Sequence, residues 1–162
     1  MQALGSVDQP APIPKPKTQP PKTYSPKPIP QLLNPQTMSE KFEFENLKVW
    51  QRSVDFLDTI FDLLENINST RKHFRLMEQI EASGVSVAAN IAEGKGRHSD
   101  KEYLKFLYYS RGSLYETVTL LQVFQKRQWI SEQDYANIQK EAILIGKMLN
   151  ALIRSVRNRL GE

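Results

Sequence analysis

Past Glu43 apolar residues return every three or four positions, and no stretch alternates them with polar residues as a half-buried strand does. Four segments carry this helical period. The first runs roughly from Asn46 to Asn66 and lays Leu47, Trp50, Val54, Leu57, Phe61 and Leu64 along one seam. Phe56, Ile60, Leu63 and Ile67 form a second seam beside it, and Asp55, Asp58, Asp62 and Glu65 an acidic stripe. Two apolar seams are more than one bundle position needs, so the second is expected to face another subunit. The next segment, roughly Phe74 to Glu93, turns Leu76, Ile80, Ser83, Val87 and Ile91 inward. Gly84, Ala88, Ala89 and Ala92 make it small-sided, and Gly94 and Gly96 are expected to end it.

Ser99-Asp100-Lys101-Glu102 reads as a capping box that opens a third helix. Tyr103, Leu107, Ser110, Leu114, Thr117, Leu121 and Phe124 follow at heptad spacing. In an antiparallel hairpin of the second and third helices, Gly112 is expected opposite Ser83 and Gly84. Ser131 to Asp134 cap the fourth helix, whose inward line is Tyr135, Ile138, Ala142, Ile145, Leu149, Leu152 and Val156. Short connections favour antiparallel neighbours, which makes the expected fold an all-α, up-down-up-down four-helix bundle over residues 42–162.

Composition divides the chain at the same place. All ten prolines fall between Pro10 and Pro35, where their spacing fixes φ, removes backbone donors and favours an extended, solvated spacer. No two of them stand three apart, so PxxP docking motifs are absent. Residues 1–41 are therefore expected to be a disordered Pro/Lys-rich leader, with Met38 an alternative start of translation. Within residues 1–38, Lys15, Lys17, Lys22 and Lys27 face only Asp8, so most of the net charge of +4 sits in the leader and the body is nearly neutral. Nucleic-acid binding must then rest on local stripes rather than on a global field. The absence of cysteine excludes disulfide scaffolds and thiolate chemistry. No apolar run reaches membrane-spanning length and no signal peptide is recognisable, which implies a cytoplasmic protein with no membrane association.

Catalytic equipment is sparse. There is no phosphate-binding GxxxxGK[ST] loop, no HExxH and no GxSxG, and neither His73 nor His98 follows a glutamate by three positions, as di-iron bundles require. No enzyme activity, metal, cofactor or small-molecule substrate is expected. The turn after the second helix carries Lys95, Arg97, His98 and Lys101, which could join the free N–H groups of the third helix in an anion pocket. Acidic Glu93, Asp100 and Glu102 oppose that reading, and a Glu93–Arg97 pair with capping by Ser99 explains the same residues. Asn90, Glu93, Arg111, Ser113 and Glu116 are candidates for an inter-helix polar network. On the fourth helix Lys140, Lys147 and Arg154 recur every seven residues, continued by Arg157 and Arg159. This basic stripe suits either a phosphate backbone or the acidic stripe of the first helix, although cations near a helix C-terminus also answer the macrodipole. Phe106, Tyr108 and Tyr109 lie off the third helix's main seam, placed for base stacking or for a second buried seam.

Several of these residues together resemble a known family, the bacterial four-helix-bundle proteins encoded in 23S rRNA intervening sequences. The resemblance runs from about Phe44 to Leu160. It is carried by Phe44, Leu47, Val49, Trp50 and Gln51, then Gln79, the string Ser86 to Gly94, Arg97, Ser99, Gly112 to Leu114, Glu116, and Trp129-Ile130. The resemblance implies a protein without enzymatic activity that assembles as a homopentamer and associates with RNA. Related bundles include the accessory variability determinants of diversity-generating retroelements, which bind a reverse transcriptase and its template RNA through strongly basic surfaces. A neutral body matches that partnership less well. A purely structural homo-oligomeric scaffold is the third possibility.

Overall fold

The structure, a computed structural model, describes residues 41–67 and 73–162. Nearly all of the expected leader lies outside them, as do residues 68–72 of the first connection. A 3-10 turn at Glu43–Asn46 precedes four helices: α1 (Lys48–Glu65), α2 (Phe74–Lys95), α3 (Asp100–Lys126) and α4 (Glu132–Leu160). There is no strand among the described residues.

The caps explain where the last two helices begin. Ser99 Oγ accepts from the Glu102 N–H at 3.3 Å and lies 3.1 Å from the Glu102 carboxylate. Ser131 does the same with Asp134, at 3.0 Å from its N–H and 2.6 Å from its carboxylate. Both satisfy a donor that the first turn otherwise leaves free, and both hold acids at the positive end of the helix dipole. Helix α4 ends at Gly161, whose φ of +76° is costly for a residue with a Cβ.

Each helix touches two neighbours, in the cyclic order α1, α2, α3, α4. Cross-helix contacts show the antiparallel registers. Ser110 and Thr117 of α3 meet Val87 and Ser83 of α2, while Arg111 and Arg159 pair with Asn150 and Asp100 across α3 and α4. The result is the expected antiparallel four-helix bundle, closed around an apolar core that includes Phe56, Ile60, Ile80, Val87, Leu107, Leu121, Ile145 and Leu149. The serine and threonine hydroxyls caught inside are bonded, whereas the buried Tyr103 hydroxyl has no hydrogen-bond partner among the described residues. Ser53 donates to the Val49 carbonyl (2.8 Å), Ser83 to that of Ile80 (3.0 Å) and Ser110 to that of Val87 (2.8 Å). Thr117 Oγ1 lies 2.8 Å from both Ser83 Oγ and the Ser113 carbonyl. Such bonds offset the desolvation of these hydroxyls and join α2 to α3.

On α3 all seven heptad residues are buried as expected. On α1 the two seams exchange roles: Val49, Ser53, Phe56, Ile60 and Leu64 face the core, whereas Trp50, Leu57 and Phe61 are only half-buried and Val54 is exposed. The seam expected to face another subunit is thus largely the core seam. A serine at a core position breaks the apolar period, and its intrahelical hydrogen bond makes that burial inexpensive. On α4, Ile153 rather than Leu152 is buried, because a helix of 3.6 residues per turn drifts from a heptad line over several turns.

The glycines also correct the sequence reading. Gly94 does not end α2; it is a buried interior residue, and a Cβ there would lie 2.6 Å from Phe106 Cβ and 2.9 Å from Tyr103 Cδ2. Gly96 takes the C-cap position. Gly112 is exposed, with nothing within 4 Å of where its Cβ would be. It stands five residues from Thr117, which rotates it away from α2, so the contact opposite Ser83 is made by the Thr117 hydroxyl. Gly84 faces α1 instead, where a Cβ would lie 3.1 Å from Leu57 Cδ1.

Candidate functional site

The turn between α2 and α3 spends most of its charge internally. Lys95 pairs with Glu43 at 2.8 Å, holding that carboxyl below its usual pKa by a hydrogen bond and by charge. Arg97 pairs with Glu93 one turn back and sits 4.7 Å above the Phe106 ring. Asp100 receives two hydrogen bonds of 2.8 Å from Arg159, and its pKa is lowered chiefly for that reason. Of the four residues expected to form an anion pocket, His98 and Lys101 alone have no partner among the described residues. The cap of α3 already uses Ser99.

The five residues expected to form one polar network are dispersed too. Asn90 donates to the Ser86 carbonyl of its own helix (2.7 Å). Glu116 accepts from Gln79 of α2 (3.0 Å), Arg111 donates to Asn150 of α4 (2.9 Å), and the Ser113 carbonyl faces Thr117. Glu93 belongs to Arg97. Only Glu116 and Arg111 bridge helices, α2–α3 and α3–α4 respectively, and the five make no hydrogen bonds to one another among the described residues.

Helix α4 offers a different picture. Arg159 is committed to Asp100, and Arg157 lies 3.7 Å from Glu162. Lys140, Lys147 and Arg154 are exposed and have no partner among the described residues. The acidic stripe of α1 does not neutralise them: the ion pair between the two helices has the opposite sense, Arg52 of α1 to Glu141 of α4 at 2.7 and 2.8 Å. A groove of about 440 Å³ opens beside Lys147, between α3 and α4. Its walls include Leu114, Tyr115, Val118, Ile143 and Gly146. Tyr108 and Tyr115 project from α3 with 38% and 56% of their surface exposed, and Arg111 sits 5.0 Å above the Tyr108 ring.

The stripe was legible in the sequence; the groove and Tyr115 were missed. The signal lay in Gly146, an interior helical glycine that costs about 1 kcal/mol against alanine without terminating anything. Its missing side chain leaves Leu114 as the nearest neighbour, 3.7 Å from where a Cβ would be. The histidines stay apart from this face: His73 stacks on Trp129 at 3.9 Å at the start of α2, and His98 is exposed beyond its other end. Among the described residues no cluster of three or more His, Asp or Glu could hold a metal ion.

A family model for the 23S rRNA-intervening sequence protein matches residues 45–151, which is well over half of the chain. The chain belongs to that family. The 23S rRNA-intervening sequence model reaches Lys140 and Lys147 but stops short of Arg154, Arg157 and Arg159, and it excludes the Pro/Lys leader. A crystal structure of a protein of unknown function from the S23 ribosomal protein family of Bacteroides thetaiotaomicron VPI-5482 is similar. It shares 27% identity and a TM-score of 0.61, covering 65% of this chain and 97% of that one. No curated protein matches the chain.

Proposed function

We propose that this member of the 23S rRNA-intervening sequence family is a non-enzymatic, cytoplasmic, self-associating bundle that binds RNA as an accessory protein. The observation that carries the RNA reading is the line Lys140, Lys147 and Arg154: three exposed cations at seven-residue intervals with no ion-pair partner among the described residues. Phosphates would supply that charge and release counterions in doing so. Filter-binding titration against a structured RNA at two salt concentrations tests it. Binding at low salt that weakens steeply with added salt, and is lost when the three cations are reversed to Glu, is the expected result. Absence of binding at low salt, or indifference to the reversal, refutes it.

Self-association is supported by the exposed apolar flank of α1 and α2, and the homopentamer is the number that the family resemblance implies. Val54 and Val85 expose 38% and 44% of their surface, beside half-buried Leu57 and Phe61. This flank takes over the role expected of the seam that turned out to be core. Light scattering after size exclusion is expected to show a pentamer that Val54→Lys with Val85→Lys dissociates; a monomer at micromolar concentration overturns this part. The non-enzymatic reading is supported by the separation of the histidines and by the internal pairing of the polar groups at the α2–α3 turn.

A further inference from the structure

The contacts that set the α3–α4 register also align the exposed residues of the two helices. Arg111 bonded to Asn150, and Leu114 against Gly146, place Tyr108 within one or two residues of the level of Arg154, and Tyr115 within one or two residues of that of Lys147. Tyr115 and Lys147 both line the groove, which agrees with this register. Each level therefore pairs an exposed phenol ring on one helix with an unpartnered cation on the next. Seven residues separate the two levels, about 10 Å along the helix axis. Lys140 continues the cation line by one further step, near the level of Leu120 to Gln122, where α3 carries no ring.

We propose that the groove between α3 and α4 binds single-stranded RNA, with bases stacked on Tyr108 and Tyr115 and phosphates on Arg154 and Lys147. The inference rests on the RNA reading above and names the form of RNA it takes. A duplex buries its base faces and would use the cations alone, leaving two exposed tyrosines and an apolar groove without a role. An unpaired strand offers both chemistries at once, a π-face for the ring and a phosphate for the neighbouring cation. Leu114, Val118 and Ile143 in the groove suit a base and not a phosphate. Arg111, bonded to Asn150 and stacked on Tyr108, holds the first ring in place before a strand arrives and adds a guanidinium plane to the stack.

Fluorescence anisotropy with labelled oligouridine of about 12 nucleotides, a length within the range that stacking grooves cover, provides the test. A duplex of equal length and an amphipathic acidic peptide serve as competing probes, and far-UV circular dichroism checks that each variant is folded. Oligouridine is expected to bind in preference to the duplex. Tyr108→Ala with Tyr115→Ala lowers that affinity at least ten-fold, and Phe at both positions restores it, since stacking is worth roughly 1–3 kcal/mol per base. Lys147→Gln with Arg154→Gln reduces the slope of log affinity against log salt by about 1.4, at roughly 0.7 per lost single-strand phosphate contact. Equal binding of the duplex with no effect of the tyrosine variants overturns the single-strand inference and leaves the RNA reading standing. No binding of any RNA at low salt removes both. Tyrosine-dependent binding of the acidic peptide alone makes the groove a protein-docking site and overturns the inference.

Discussion

Substituting alanine at two glycines of the α2–α3 hairpin should move stability in opposite directions. In isolation each change favours the helix by about 1 kcal/mol, because glycine loses more backbone freedom than alanine on folding. At Gly112 nothing lies within 4 Å of the new methyl group, so that gain stands alone. At Gly94 the methyl would sit 2.6 Å from Phe106 Cβ, well inside the 3.5–4.0 Å at which carbon atoms pack. A Cβ is fixed to its backbone, so relief requires α3 itself to move away from α2. Tyr103 Cδ2 at 2.9 Å blocks a second direction. Overpacking of this kind costs about 3 kcal/mol, toward the upper end of the usual range, which leaves Gly94→Ala about 2 kcal/mol less stable than the parent. The two variants should differ by about 3 kcal/mol, or roughly 10 °C in melting temperature for an ordered body of this size. Urea titration followed by far-UV circular dichroism, with thermal melts alongside, measures both. Phe106→Ala should fail to rescue Gly94→Ala, since it retains the obstructing atom. A Gly94→Ala protein as stable as the parent, or a rescue by Phe106→Ala, would refute the steric argument.

Other outcomes follow from single groups. The Tyr103 hydroxyl is buried without a hydrogen-bond partner among the described residues, so Tyr103→Phe should raise stability by about 1 kcal/mol in chemical denaturation; a loss of that size shows that the hydroxyl does have a partner. Burial also pushes the Tyr103 pKa up, so its neutral form is favoured in the fold. That contribution is complete below the unfolded tyrosine pKa and is lost as pH rises through the folded one, and Tyr103→Phe should make the alkaline limb of stability shallower. Asp100 has the opposite sign. Arg159 depresses its pKa, so its contribution is present above the unfolded carboxylate pKa and is lost as pH falls through the folded one. Acid titration of Asp100→Asn should therefore show a shallower acid limb than the parent, and an unchanged limb dismisses the pair as a contributor. Gly146→Ala, with only Leu114 at 3.7 Å, should stabilise α4 by up to about 1 kcal/mol while partly filling the groove, so RNA affinity and stability should separate in that variant.

The sequence alone determined the number of helices and, to within about two residues, their ends, because those depend on local chemistry: a 3.6-residue apolar period, Ser99 and Ser131 as caps, and a glycine turn after the second helix, which runs on to Lys95 rather than ending at Glu93. It also marked the basic stripe, since Lys140, Lys147 and Arg154 share a helix face at any tertiary arrangement. What a face meets was not legible. The core seam of α1 was hidden because Ser53 satisfies its hydroxyl within its own helix and so can be buried like an apolar residue. Glycine carries no side chain to reveal its environment, so Gly94 in close contact, Gly112 in solvent and Gly146 beside a groove look alike until neighbouring helices are placed. Ion pairing was undecided for the same reason. Arg159 belongs to the same basic run as Arg154, yet the fold brings Asp100 of α3 to Arg159 and no acid among the described residues to Arg154. Tertiary structure decided which charges were left over, because a charge is neutralised by what lies within a few ångströms of it, and that distance is set by the packing of helices far apart in the chain.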